Sequence, residues 1–290
     1  MLLAFAFLVS GAAGLIYQVV WTRLLVLVFG STTLAVSTVL TIFMGGLALG
    51  AWLAGRWIDR SARPLAVYAA IEAGIALSAV MIPWGLDRLL PVYQTVWTHV
   101  AFAPGVLLGV RFALIALVLL IPTMLMGATL PVLSRAIARG EGTMAGRVGR
   151  FYAINTAGAI GGAFATGFVL LPALGITPTI RIGVLCNLLA AAAAWMSARR
   201  GIGEDGARHG VGHSVSPAPQ TTLGRVVGVT LALSGAAALV DEVVWSRALS
   251  LILGSSVYAF TSMLTTFLID RKSTRLNSSH IQKSRMPSSA

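Results

Sequence analysis

The chain has 290 residues, of which 57% are hydrophobic and 10% charged, with a mean hydropathy of +0.87 and a formal net charge of +12. Soluble domains carry about 25% charged residues, so this composition excludes a soluble globular protein and sets the membrane class. The positive charge does not point to nucleic acid, because the arginines cluster in short gaps between apolar runs rather than on amphipathic or aromatic-interleaved faces.

A bilayer core of ~30 Å needs ~20 apolar residues as a helix. Seven whole segments fit, near 3–23, 31–55, 65–86, 106–133, 150–173, 179–198 and 224–246, with an eighth remnant at 254–269. Nothing alternates as barrel strands would. The first segment lacks a basic n-region and runs too long for a cleavable signal peptide. Cys186 is the one cysteine, so no disulfide forms within the chain.

Three gaps read "GRWIDRSARP", "SRAIARGEGTMAGRVGR" and, over residues 199–223, "RRGIGEDGARHGVGHSVSPAPQTTL". Extended to Arg225, they hold eleven of the sixteen arginines that precede residue 270. The positive-inside rule places these gaps, and the N-terminus with them, in the cytoplasm of a cell inner membrane. Trp84, Tyr93, Trp97 and His99 then decorate the outer interface. The Gly-, Pro- and Ser-rich gap 199–223 reads as a flexible linker between membrane units 1–198 and 224–269. His209 and His213 in it lack further ligands and give no metal site. No cofactor is implied.

Residues 270–290, "DRKSTRLNSSHIQKSRMPSSA", hold both lysines, Lys272 and Lys283, and six serines. This stretch resembles translated adapter sequence and is expected to be a non-native tail. A disordered basic tail is the alternative.

Ser10–Phe43 aligns without a gap onto Ser234–Phe267, with 17 of 34 pairs identical, including Trp21 with Trp245, Arg23 with Arg247 and Gly30 with Gly254. Shared membrane composition does not hold Trp, Arg and Gly in register, so this is an internal duplication. Six spans separate the copies, which gives both the same orientation, as between the two halves of major facilitator transporters.

Intramembrane charges cost ~2.5–3.5 kcal/mol each on insertion scales and are functional candidates by default. Glu72 lies in the third span and Asp241 and Glu242 in the seventh, and Arg111 lies near one end of the fourth. Gln18 and Glu242 are equivalent positions of the duplication, as are Tyr17 and Asp241. The acids suit a small cationic solute or a proton, and Arg23 and Arg247 suit pairing with them. The structural alternatives are a buried arginine partner for Glu72 and snorkelling to the outer interface for the arginines. Gly46, Gly50 and Ala54, and Gly158 and Gly162, form small-residue faces for close helix approach. Pro122 and Pro131 should kink or break the fourth span. Asn155 could bond across the bundle or cap its own helix.

"GRWIDRSARP" resembles the loop between the second and third helices of major facilitator transporters, through Gly55, Asp59, Arg60 and Arg63. The resemblance implies that these residues latch one conformation, although Ala62 and Pro64 depart from the pattern. An ordinary interfacial acid is the equal alternative for Asp59. "LSGAAGLIYQVVWTRLL", "IPTMLMGATLPVLSRAI" and "FYAINTAGAIGGAFATGFVLLPALG", in that order, resemble the membrane region of fused transporter–spermidine synthase proteins. The implied fold is an all-α integral membrane bundle of major facilitator type, with one six-helix half plus the first two helices of a second. The implied function is movement of a small cationic solute such as a polyamine, or, alternatively, membrane anchoring or regulation of a fused aminopropyltransferase-like enzyme. No Gly-rich loop with a following acidic residue stands in a strand–loop–helix unit here, so any such enzyme is expected downstream, and this chain carries no catalytic site. Residues 224–269 are expected to dock weakly on 1–198 and the chain as it stands to transport nothing.

Overall fold

The computed structural model describes residues 1–29, 33–58, 61–100, 104–137, 143–201, 222–253, 261–266 and 269. Among these the chain is helical and has no strand. Long helices α1 (Leu2–Phe29), α2 (Thr33–Trp57), α3 (Pro64–Val100), α4 (Pro104–Ala136) and α5 (Met144–Ala165) follow in order. A π-helical turn, Thr166–Leu170, leads into α6 (Leu171–Leu174), then α7 (Ile176–Arg199) and α8 (Thr222–Leu253). Seven helical stretches among the described residues are long and apolar enough to cross a membrane, so the chain is a multi-pass membrane protein in contact with lipid.

The ends follow local chemistry. Pro64 and Pro104 open α3 and α4 at the position where the missing N–H costs nothing. The Thr143 hydroxyl caps α5 by accepting from the Gly146 amide at 3.2 Å. Gly175, at φ 78°, turns the chain between α6 and α7 in the left-handed region that side-chain-bearing residues avoid.

Two expectations need correction. The stretch after residue 86 was expected to be an outer gap, yet α3 continues to Val100. Its 37 residues span ~55 Å, well beyond a ~30 Å hydrocarbon core, so its C-terminal part projects from the membrane. Only Pro91 interrupts the helix-compatible sequence there, and the Arg111 guanidinium ties the extension to α4 by donating to the Tyr93 hydroxyl at 2.8 Å. Of the kink or break expected at Pro122 and Pro131, the break does not occur, and α4 runs on through both. Membrane helices tolerate such prolines where neighbouring groups satisfy the freed carbonyls.

The packing has a simple order. α1 packs on α5 and α7, α4 packs on α2 and α3, and α3 packs on α7. Exchanging α1 with α4, α2 with α5 and α3 with α7 maps these principal contacts onto themselves. The sequence carries the same relation at an offset of 112. Ile42, Gly46, Gly50, Ala51 and Gly55 of α2 recur as Ile154, Gly158, Gly162, Ala163 and Gly167. "WTRLL" at 21–25 recurs as "LSRAI" at 133–137 and as "WSRAL" at 245–249. The packing detail repeats too. A Cβ on Gly50 would fall on the Met124 backbone of α4, and one on Gly162 would fall on the Ala12 backbone of α1. Three spans separate equivalent helices, so the two triplets run in opposite directions through the membrane.

The interior of this six-helix body is aromatic and aliphatic, with Phe7, Tyr17, Trp21, Phe43, Tyr68, Ile75, Leu119 and Val132 buried. Its outer face exposes Leu77, Leu117, Ile121 and Leu185 to the lipid. α8 packs on α2 and leaves Val229, Leu233, Val240, Val244 and Trp245 exposed. Residues 261–266 form a helical turn that buries Met263 and Leu264 against Val19 and Ala163.

Candidate functional site

Glu72 stands at the centre of the bundle and is fully buried. It was weighed as the partner of a buried arginine, and the structure gives it neutral partners instead. Ser10 of α1 donates its hydroxyl to Oε1 at 2.6 Å, and Asn187 of α7 donates its side-chain amide to Oε2 at 2.5 Å. Tyr68, one helical turn earlier on α3, sets its hydroxyl in hydrogen-bonding contact with the carboxyl and with Ser10, and Tyr17 of α1 lies within electrostatic reach. The Tyr68 ring stacks on Phe7 at 5.2 Å, which fixes its position.

Three helices therefore meet at one acidic side chain, and the remaining polar atoms around it are unspent. The hydroxyl of Tyr17 and the Oδ1 of Asn187 are buried without a hydrogen-bond partner among the described residues. Buried polar atoms are nearly always satisfied, so a group of unsatisfied ones around a carboxylate requires an explanation.

α1 carries a second row. Gln18 and Trp21 are buried, with Gln18 Nε2 and Trp21 Nε1 unpartnered among the described residues. Tyr17 stacks on Trp21 at 5.0 Å and 9°, and the Tyr17 ring lies against Gly183 of α7, where a Cβ would meet it. Arg23, at the far end of this row, is half-buried and makes no ion pair among the described residues.

On α8 the adjacent acids part company. Asp241 is exposed, whereas Glu242 is 3% exposed on a helix whose neighbouring apolar side chains face outward. Its Oε1 has no partner among the described residues. α8 packs on α2. The side chain of Arg247 lies outside the described residues.

The loop after α2 is partly described. Gly55 is exposed with open space around it, and Arg63 is exposed, its backbone amide donating to the Ser61 hydroxyl at 3.3 Å. Asp59, Arg60, His209 and His213 lie outside the described residues. Among the described residues no group of histidine, cysteine and acidic side chains could hold a metal ion. Asn155 lies inside α5, with its backbone oxygen and Oδ1 against Gly11 of α1, so it does not cap its helix.

Sequence reasoning found Glu72 and missed its companions. Asn187 in "LCNLLA" is a lone amide in an apolar span, and Tyr68 precedes Glu72 by four residues on one helix face. Both signals were legible; their convergence was not, because Asn187 is 115 positions away from Glu72. Comparison of the chain with protein-family models, with curated proteins and with solved structures found no match.

Proposed function

We propose that this chain is a facilitator-type membrane module that binds a small cationic solute. The observation that carries the reading is the pair Gln18 and Glu242. They are equivalent positions in duplicated segments, both are buried in apolar helices, and each keeps a polar atom unpartnered among the described residues. A buried carboxylate with no basic partner among the described residues suits a cation, and insertion of such a group costs ~2.5–3.5 kcal/mol on translocon scales. The inverted triplets at offset 112, within a unit that itself begins again at offset 224, support the facilitator architecture. The sequence resemblance supplies polyamine as the solute class and a downstream aminopropyltransferase-like domain as the fused partner.

Binding is tested by thermal unfolding of the detergent-solubilised chain with putrescine or spermidine as the probe. Saturable stabilisation by the polyamine, lost in Glu242→Gln and absent with a neutral diol of similar length, supports the reading. Equal melting with and without polyamine favours the second reading, a membrane anchor or regulator for a fused enzyme, whose support is the largely exposed α8.

A further inference from the structure

The polar group around Glu72 is separate from the Gln18 and Glu242 pair that carries the solute reading. It lies inside the six-helix body, between α1, α3 and α7, rather than beside α8. Its chemistry is nevertheless specific. One carboxylate is buried to 0% exposure, and its hydrogen-bond donors, Ser10 and Asn187, are neutral. Hydrogen bonds from neutral donors offset part of the desolvation of a carboxylate but supply no opposite charge.

The titratable and charged groups of every packed element are few. α1 presents Tyr17, α3 presents Tyr68, and α7 presents Cys186. α4, which packs on α3, carries Arg111 and Arg135 only near its two ends, with Arg111 bonded to Tyr93. No basic side chain among the described residues pairs with Glu72. The unspent atoms are the second half of the argument. Asn187 Oδ1 and the Tyr17 hydroxyl are oxygens, and both residues are at least nine-tenths buried. The unspent atoms are oxygens, the ligands that hard cations take, and the single carboxylate balances a charge of one.

We infer that Glu72, with Ser10, Asn187, Tyr68 and Tyr17 around it, is a buried site for a single monovalent cation, delivered either as a proton on the carboxyl or as a dehydrated alkali-metal ion. Occupancy neutralises the carboxylate and lets α1, α3 and α7 pack around it. Vacancy leaves an unpaired charge at the junction of three helices. The site therefore couples the packing of the body to the cation, whether or not the protein moves a solute. It does not rest on the solute reading, because its readout needs neither polyamine nor Glu242.

The test uses the purified chain in detergent. Melting temperature is recorded for wild type and Glu72→Gln across a pH series and across sodium chloride, with choline chloride as the ionic-strength control. Wild type should shift with pH or with sodium, and Glu72→Gln, which keeps the shape without the charge, should lose that dependence while remaining folded. Coincident profiles for the two proteins would overturn the inference. Dicyclohexylcarbodiimide, which modifies protonated carboxyls in apolar surroundings, separates the two sources when the adduct at Glu72 is quantified by mass spectrometry. A proton site gives labelling that falls about tenfold per pH unit above its midpoint and ignores sodium. An alkali-cation site gives labelling that sodium or lithium suppresses at fixed pH and choline does not. Labelling that responds to neither pH nor salt would likewise defeat the proposal.

Discussion

The side-chain amide of Asn187 donates to Glu72 Oε2 at 2.5 Å and so joins α7 to α3 across 115 positions of sequence. These two helices are the pair that maps onto itself when the inverted triplets are exchanged. The junction of the triplets is thus held by a polar contact inside an apolar body.

Removing the amide should be costly for that reason. Asn187→Ala takes away a hydrogen bond to a buried carboxyl, and an unsatisfied buried group costs about 1–3 kcal/mol. Asn187→Ala is expected to lower the melting temperature. Glu72→Leu combined with Asn187→Leu, which removes both partners in favour of apolar side chains, should recover most of the loss. Chemical or thermal unfolding in one detergent compares the three proteins. A double variant no more stable than the single alanine variant would show that the contact is not what holds the junction.

The small-residue faces give a second prediction. A Cβ at Gly162 would fall on Ala12 backbone atoms, its carbonyl oxygen first, so α1 and α5 must separate to accept it. Gly161, its neighbour, has nothing within 4 Å of a Cβ. Gly162→Ala should destabilise by about 1–3 kcal/mol through overpacking, while Gly161→Ala should be neutral or stabilise by up to about 1 kcal/mol through helix propensity. Gly50→Ala, the equivalent change on α2, should behave like Gly162→Ala. Equal melting temperatures for Gly161→Ala and Gly162→Ala would remove close backbone approach as the reason for these glycines.

The reach of the sequence can be judged from these same positions. Spacing of small residues located Gly46, Gly50, Gly158 and Gly162, because helix geometry is local and four residues return to one face. The duplication at offset 224 was visible because Trp, Arg and Gly recur in register. The finer repeat at 112 was not, because its copies share little beyond Ile42, Gly46, Gly50, Ala51, Gly55 and the "SRAI" segment. Packing reveals it, since α2 meets α4 as α5 meets α1. The extent of α3 was missed for another reason. Hydropathy marks where a helix leaves the membrane, whereas the helix itself ends only where its backbone does, at Val100.

Topology can be tested at both ends of α3. Ser61 precedes the helix and Gln94 is exposed on its extension. In a background with Cys186 replaced by alanine, a cysteine at Ser61 or at Gly212 should react only with reagents that enter the cytoplasm. A cysteine at Gln94 should react with impermeant maleimide applied outside intact cells. The arginine bias of the three gaps motivates the orientation. Outside labelling at Ser61 would reverse it, and shared labelling behaviour at Ser61 and Gln94 would contradict a spanning α3.

The last prediction concerns how residues 261–266 are seated. A Cβ at Gly167, in the π-helical turn, would fall on the Thr261 side chain, so Gly167 and Thr261 are in direct contact. Thr261, Met263 and Leu264 are buried there, whereas most of α8 is exposed. The seat is therefore built by the six-helix body, and a π-turn, which widens the helix locally, provides it at a glycine. Gly167→Leu should displace residues 261–266 without unfolding α1 to α7, because the leucine side chain can point into the space the displaced segment leaves. The readout is a cysteine introduced at Met263, again without Cys186. Its reaction with a small thiol reagent in detergent should be slow beside Gly167 and at least about tenfold faster beside Leu, in keeping with local opening favoured by ~1.4 kcal/mol or more. Circular dichroism should register no loss of the main thermal transition. Equal reaction rates in the two backgrounds would show that Gly167 does not seat this segment.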